Sequence, residues 1–352
     1  MPSGSIGILA SSGPQLDSCF ARIGDLLRAR GHPVHYAAGT PMARARAAVI
    51  PAVTRSSGMV NLRAGRELRR WVEVVDADVV LASSEPAGLL ARRAGLTVPV
   101  VYLTRGLPWH EGGTARAMHR ELLERWRMSH TAAAIILHEE DRAWFARWAP
   151  DLPVHHLPFG MGLSPEAFRP CPQPDNNVVM WVGEHTPHAR PWLAVQITAE
   201  LRSRGTPIRL RMLGSGPLTR QIARQAEQLG VAGDVELPGH TAVTDEIRAA
   251  RLVLHTAARE TQPRVVLQAL AVHRPVAAFD VPGMRGLPAV ELALDRDVTA
   301  GADLVEHLLA HPVPEEVFPS REELSDERAA ITLESILAEA VNSAQGRTVQ
   351  DV

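Results

Sequence analysis

The residues best suited to chemistry lie in one short run, Arg259-Glu260-Thr261-Gln262-Pro263-Arg264-Val265-Val266-Leu267-Gln268. An acidic side chain, Glu260, follows the apolar run Leu252–His255, and a helical pattern opens at Pro263. Proline is tolerated at a first helical position because its missing N–H would have no intrahelical acceptor there. Amides of the Thr261–Val265 segment would be unpaired donors with the positive end of the helix dipole behind them, an arrangement that receives phosphate. Glu260 in the loop and Gln268 in the helix flank that start. Both are suited to hydrogen-bonding hydroxyls, one on a sugar and one on a ribose. The plainer readings are an exposed loop acid and a helix-surface glutamine.

Such a loop needs strands and helices to hold it. In the first half of the chain, Ile6–Ala10, Pro33–Tyr36, Val79–Ala82, Val98–Tyr102 and Ala134–Leu137 read as buried parallel strands. Helical patterns near 16–30, 62–75, 86–94, 115–127 and 140–148 separate them. The second half repeats the plan, with strands near 178–182, 208–213, 234–237, 252–255 and 275–279. Its helices fall near 190–204, 217–229, 243–250 and 263–272. This alternation predicts an α/β protein with parallel sheets wrapped on both faces. The stretch Phe159–Asn177, rich in Pro, Gly and Asn, reads as a linker, and 320–345 as one or two helices.

The 259–276 run resembles the donor-site signature of family 4 glycosyltransferases, retaining enzymes of the GT-B fold. That signature is written E-G-x-P-R-V-L-L-E-A-M-A-x-G-x-P-V. Glu260, Pro263, Arg264, Val265, Leu267, Ala269, Ala271, Pro275 and Val276 match it. Thr261 replaces Gly, Gln268 replaces the second Glu, and His273 replaces Gly. Further stretches are similar to the same family: Ala77–Val80 with Pro86–Ala91, Thr104–Trp109, Ala134–Asp141, and Gly160–Pro170. The resemblance implies two Rossmann-like doubly wound domains facing across a cleft. The expected boundaries are an acceptor-binding domain over 1–160, a linker over 161–176, a nucleotide-sugar-binding domain over 177–318, and a helical tail over 319–352 that packs back on the first domain.

The same resemblance assigns roles. Family members hold the donor diphosphate with an Arg after the glycine that ends the first strand of the second domain, and with a Lys further on. Here Gly183 is followed by Glu184, and Arg190 stands where the Lys would be. Arg190 can grip phosphate through its planar fork or be a solvated helix-start arginine; His185 and His188 could assist. Gly214-Ser215-Gly216 matches the turn that approaches base and ribose, and Gly239-His240 the turn near the base. Glu260 is expected to bond sugar hydroxyls and Gln268 the ribose, with Gln262, Pro263, Arg264 and Val265 around the diphosphate. Across from them the loop Ser11–Pro14, with Gly13, would face donor and acceptor. Arg105 stands where the family often has His, and His110 nearby can substitute for it or be an ordinary loop histidine. Glu140 and Asp141 read as acceptor-side groups or, more plainly, as helix caps.

Composition bounds the alternatives. The 352 residues suit two domains, and with 45% apolar and 22% charged residues and a formal charge of −2 nothing favours nucleic acid. All 37 basic side chains are Arg, so lysine chemistry is excluded. Cys19 and Cys171 lack metal-type spacing, and His32/His35 and His155/His156 lack further ligands. Asp295-Arg296-Asp297 resembles a metal-holding DxD but lacks the strand context for one, and the resemblance implies no metal requirement. The N-terminus enters a strand directly and no apolar run could cross a bilayer, so a cytoplasmic protein is expected. Contact with the membrane surface through the Arg63–Trp71 helix is the weaker expectation beside a solvated helix face. The expected reaction moves a sugar from a nucleoside-diphosphate sugar, a UDP-sugar such as UDP-GlcNAc, to a hydroxyl or amine. The acceptor would be a lipid-linked or polysaccharide intermediate or a secondary metabolite, free or carrier-bound. The rival reading is a weakly active homologue that serves as a binding or partner subunit.

Overall fold

A computed structural model of the chain describes residues 4–54, 62–107, 115–166, 168–260 and 263–350. It forms two compact units, Met1–Met161 with Asp326–Val352, and Gly162–Ser325.

The strands of the first unit are β1 (Ile6–Ala10), β2 (Val34–Ala38), β3 (Ala47–Val49), β4 (Val79–Ser83), β5 (Val100–Leu103), β6 (Ala133–Ile136) and β7 (Val154–His156). They form one parallel sheet in the order β3-β2-β1-β4-β5-β6-β7. Helices α1 (Gly13–Cys19), α2 (Ala21–Ala29), α3 (Leu62–Val74), α4 (Glu85–Ala94), α5 (Ala115–Arg125) and α6 (Arg142–Trp148) connect them. Every residue of β1, β4, β5 and β6 is buried, which explains why these strands read as continuous apolar runs rather than alternating ones. The expected helix near 16–30 is two helices that meet at Phe20, whose φ of −121° and ψ of −11° depart from helical values. Strands β3 and β7 escaped the sequence reading because each has only three residues, none of them buried.

Helix α12 (Asp326–Gln350) belongs to this unit and packs on α2. Arg22 Nε lies 3.3 Å from Asp326 Oδ2. The buried His32 ring places Nδ1 3.1 Å from the Gly4 carbonyl and Nε2 2.9 Å from Glu334 Oε1. No helix among the described residues is long and apolar enough to cross a membrane.

The second unit has strands β8 (Val178–Val182), β9 (Arg209–Leu213), β10 (Val235–Gly239), β11 (Leu252–His255), β12 (Val276–Phe279) and β13 (Val290–Ala293). Their order β10-β9-β8-β11-β12-β13, all parallel, is that of a doubly wound Rossmann sheet. Helices α7 (Pro191–Ser203), α8 (Thr219–Gln228), α9 (Val243–Ala249), α10 (Arg264–Ala271) and α11 (Val298–Ala310) complete it. Sequence reading missed β13 and α11. Asp297 caps α11 by accepting the Ala300 N–H at 3.0 Å, which absorbs one carboxylate of the apparent DxD.

At the end of α10, His273 adopts φ +57°, a left-handed conformation in which glycine is normal. Its ring stacks on Phe318 at 4.8 Å with 11° between planes, which offsets the conformational cost and explains how His stands at the family's glycine. The buried guanidinium of Arg274 donates to the carbonyls of Cys171, Pro172 and Arg248, fastening the 171–172 segment to this unit.

Candidate functional site

In parallel doubly wound sheets, ligands bind outside the carboxyl ends of the strands where the strand order reverses. In the second unit that point lies between β8 and β11. The loops leaving β8, β9, β10 and β11 are stitched together there by backbone hydrogen bonds. Gly183 N donates to Leu213 O at 3.1 Å, Gly214 N to Gly239 O at 2.8 Å, and His185 N to Ser215 O at 3.0 Å. Leu218 N donates to His185 O at 2.9 Å and Ala258 N to His188 O at 2.9 Å. Gly183, Gly214, Gly216 and Gly239, separate in sequence, thus form one edge.

Gly214 and Gly216 are required by this closeness. Gly214 has φ +114°, and a Cβ on it would lie 2.0 Å from the Gly183 carbonyl oxygen. A Cβ on Gly216 would lie 2.7 Å from the His185 oxygen. Thr219 fastens the same turn: its Oγ1 accepts from Gly216 N at 3.0 Å and lies 2.8 Å from His185 Nδ1. His185 is fully buried, and that burial, followed by His240, lowers its pKa. His240 Nε2 lies 2.9 Å from Ser215 Oγ. Glu184 is exposed, as is His188.

Arg190 is not a solvated arginine. It occupies the left-handed N-cap position before α7 and its side chain is only 3% exposed. Nε donates to Thr256 O and Nη2 to Ala257 O, both at 2.7 Å, while Nη2 also lies 2.8 Å from Asp295 Oδ1. The guanidinium sits over the Phe279 ring at 5.6 Å. Its fork therefore holds the loop after β11, and Nη1 is buried without a partner among the described residues. Asp295, the other carboxylate of the apparent DxD, is spent on this pairing. Thr256 adds to the same anchor: its hydroxyl donates to Ala189 O and accepts from Trp181 Nε1, both at 2.8 Å.

Glu260 ends that loop. Its N–H donates to Pro282 O at 3.0 Å, and Oε1 stands 3.0 Å from Nε2 of the buried His255. That contact is within ion-pair range but off the alignment of a full hydrogen bond. Pro263 is the N-cap rather than the first helical residue, and α10 starts at Arg264, because the proline's ψ of 69° lies outside the helical range. Arg264 is exposed, while Val265 and Gln268 are half-buried. Thr261 and Gln262 lie outside the described residues.

In the first unit the order reverses between β1 and β4. Ser84, at the carboxyl end of β4, has φ 141° and ψ 159°, a combination costly for any residue but glycine and persistent only where the surroundings impose it. Its hydroxyl accepts from Ser11 Oγ at 2.6 Å and from Ala87 N at 3.3 Å, the latter capping α4. The Gly13 amide is bonded to Thr40 Oγ1 at 3.0 Å, and a Cβ there would lie 1.6 Å from the Pro41 carbonyl oxygen. Gly13 is thus demanded by packing, and its N–H is already engaged. Arg105 and Gly106 follow β5, half-buried, and Asp141 lies beneath this loop, accepting the Leu107 N–H at 3.3 Å. Burial pushes the Asp141 carboxyl up to about 7, against the lowering effect of that bond. His110 lies outside the described residues.

Glu260, Arg190, Gly183, Gly214, Gly216 and Gly239 are therefore assembled by the second sheet. Sequence reading did not single out Trp181, Thr256, His255 and Thr219, which hold these loops. Polar residues ending the otherwise apolar run of β11 were the available signal. Among the described residues no group of three or more His, Cys, Asp or Glu is placed to hold a metal ion.

Residues 176–311 match the family model described as Glycosyl transferases group 1. EpsD of Bacillus subtilis (strain 168), named as a glycosyltransferase, is 23% identical over 252 residues. The match covers 64% of each chain, so this protein spans less than two thirds of that relative. Sucrose-phosphate synthase from Thermosynechococcus elongatus shares the fold with a TM-score of 0.69 over 99% of both chains, at 16% identity. Anabaena HepE, solved in complex with UDP-glucose, gives 0.68 over 97% of this chain and 100% of its own, also at 16% identity. The second unit thus matches the Glycosyl transferases group 1 model over residues 176–311, and the two Rossmann-like units share the GT-B fold of these solved structures.

Proposed function

We propose that the chain transfers a sugar from a nucleoside-diphosphate sugar, a UDP-sugar such as UDP-GlcNAc, to an acceptor hydroxyl or amine with retention of anomeric configuration. The observation that carries this reading is the joining of Gly183, Gly214–Gly216, Gly239 and the Glu260 loop at the strand-order reversal of the second sheet. HepE, of the same fold, was solved with UDP and with UDP-glucose, which supports a uridine nucleotide as donor.

In this reading the diphosphate docks at the start of α10, by Arg264 and Val265, where N–H donors and the helix dipole favour negative charge. Gln268 bonds the ribose and Glu260 bonds sugar hydroxyls, and Gln262, which lies outside the described residues, is assigned to the diphosphate by the family resemblance. Arg190 acts mainly by holding the Thr256–Ala257 carbonyls, with Nη1 as the group it can offer a phosphate. The bond from the anomeric carbon to the phosphate oxygen breaks, and the acceptor atom bonds to that carbon on the same face. The acceptor's proton passes to the released diphosphate, whose charge the fixed donors stabilise. No protein base is required. The Ser11, Ser84 and Arg105 loops of the first unit take the acceptor, and no metal takes part; His110, outside the described residues, is assigned to the acceptor side by the family resemblance alone. The acceptor is a polysaccharide or lipid-linked intermediate or a secondary metabolite.

Melting of the protein with UDP, UDP-glucose and UDP-GlcNAc tests the donor site. Ligand at about a hundredfold its Kd stabilises the fold by roughly 2.7 kcal/mol. Absence of any shift with all three would favour a partner subunit over an enzyme. A shift followed by product formation in an acceptor screen, with the anomeric configuration read by NMR, supports the full reading.

A further inference from the structure

Glu260 is not a free loop acid. Its backbone is pinned at the Pro282 carbonyl, and Oε1 stands 3.0 Å from His255 Nε2. His255 is the last residue of β11, so its position is fixed by the sheet: it pairs with Ala278 of β12 in the parallel register. The next two residues are held by Arg190 and Trp181, through the Thr256 and Ala257 carbonyls and the Thr256 hydroxyl. The loop from 255 to 260 is thus held at both ends, with the His255 ring nitrogen 3.0 Å from the Glu260 carboxylate. A ring nitrogen that faces a carboxylate oxygen at this distance is stable there only as a donor, so Nε2 carries the proton. Nε2 is buried and finds no aligned partner among the described residues, so Glu260 Oε1 is the acceptor closest to satisfying it.

We propose that His255 is a positioning residue for the donor sugar: it holds Glu260 through Oε1 and so leaves Oε2 as the oxygen that accepts a sugar hydroxyl. The inference rests on the reading of Glu260 as the sugar-binding carboxylate. A carboxylate rotating freely would present its oxygens in many directions and would lose rotamer freedom when the sugar bound. One already held by a buried imidazole loses less, so the sugar is bound more tightly and in one orientation. The nucleotide half of the donor gains nothing from this contact. His255 therefore sets the preference for UDP-sugar over UDP, not the affinity for UDP.

Calorimetric titration of UDP, UDP-glucose and UDP-GlcNAc into wild type, His255→Phe, His255→Gln and Glu260→Gln tests this. The expected result for His255→Phe is a UDP Kd within twofold of wild type and a loss of about tenfold in affinity for the preferred UDP-sugar. His255→Gln, which keeps an N–H donor, should recover most of that loss. The double variant His255→Phe with Glu260→Gln should bind the UDP-sugar no worse than Glu260→Gln alone. Equal weakening of UDP and UDP-sugar in His255→Phe would make His255 merely structural and overturn the inference. So would additive losses in the double variant. If Glu260→Gln itself leaves the UDP-sugar preference intact, the reading of Glu260 fails and the inference falls with it. Loss in Glu260→Gln with none in His255→Phe overturns the inference alone.

Discussion

Replacing Asp141 by Asn should make stability less dependent on pH, with a size that follows from the site. Asp141 is fully buried beneath the loop after β5, and burial raises its carboxyl from 3.8 to about 7, while the Leu107 N–H bond works in the opposite sense. A group whose folded pKa is raised binds its proton more tightly in the folded state. Its contribution is fully present below the unfolded value, near 4, and is lost as pH rises towards 7. The shift is about three units, each worth roughly 1.4 kcal/mol, so the whole effect is on the order of 4 kcal/mol. Between pH 5 and pH 7 wild type should lose roughly 2 kcal/mol relative to Asp141→Asn, which has nearly the same shape and keeps an acceptor for Leu107. Urea denaturation of both proteins at half-unit steps from pH 5 to pH 8 measures that difference directly. A gap between them that stays constant across this range would refute the argument, because it would mean that Asp141 ionises alike in both states.

Three further outcomes follow from the second unit. Gly214→Ala places a methyl group 2.0 Å from the Gly183 oxygen at a φ of +114°; it should cost more than about 2 kcal/mol and weaken UDP binding, read by melting and titration. Arg190→Lys keeps the charge but replaces a planar fork by a single nitrogen that cannot occupy both the Nε and the Nη2 positions, so unfolding experiments should show a loss of roughly 1–3 kcal/mol. Gln268→Glu exchanges a neutral hydrogen bond to the ribose for a charge-assisted one, roughly twice as strong, and should tighten UDP binding in a titration; weaker binding would remove Gln268 from the ribose.

Most strands that proved legible are buried ones; the edge strand β10, read near 234–237 although none of its residues is buried, is the exception. The apolar runs of β1, β4, β8, β11 and β12 were readable because parallel strands covered on both faces carry no alternation to disguise them. Edge strands β3, β7 and β13 were not, since short, partly exposed segments resemble loops. The turn Gly214–Gly216 was found as a strand-to-helix corner and Gly239 through the family resemblance, but the reason for glycine at Gly214, the Gly183 carbonyl against it, belongs to another strand. The 259–276 run was legible as a unit because its residues are consecutive.

By itself the amino-acid sequence determined the alternation of strand and helix, the twofold repetition of that plan, and the position of an acid followed by a helix start. Those features depend on near neighbours in the chain, whose spacing is written in the residues. The partners of each polar side chain were decided by tertiary structure alone. The carbonyls that the Arg190 fork grips lie 66 and 67 residues away, beyond the reach of any local pattern. Gly13 reads as a ligand loop until Thr40 takes its amide. His255 looks like the end of a strand until the folded loop returns Glu260 to it. A buried polar group must be satisfied by whatever the fold brings within about 3 Å, and no local pattern specifies what that will be.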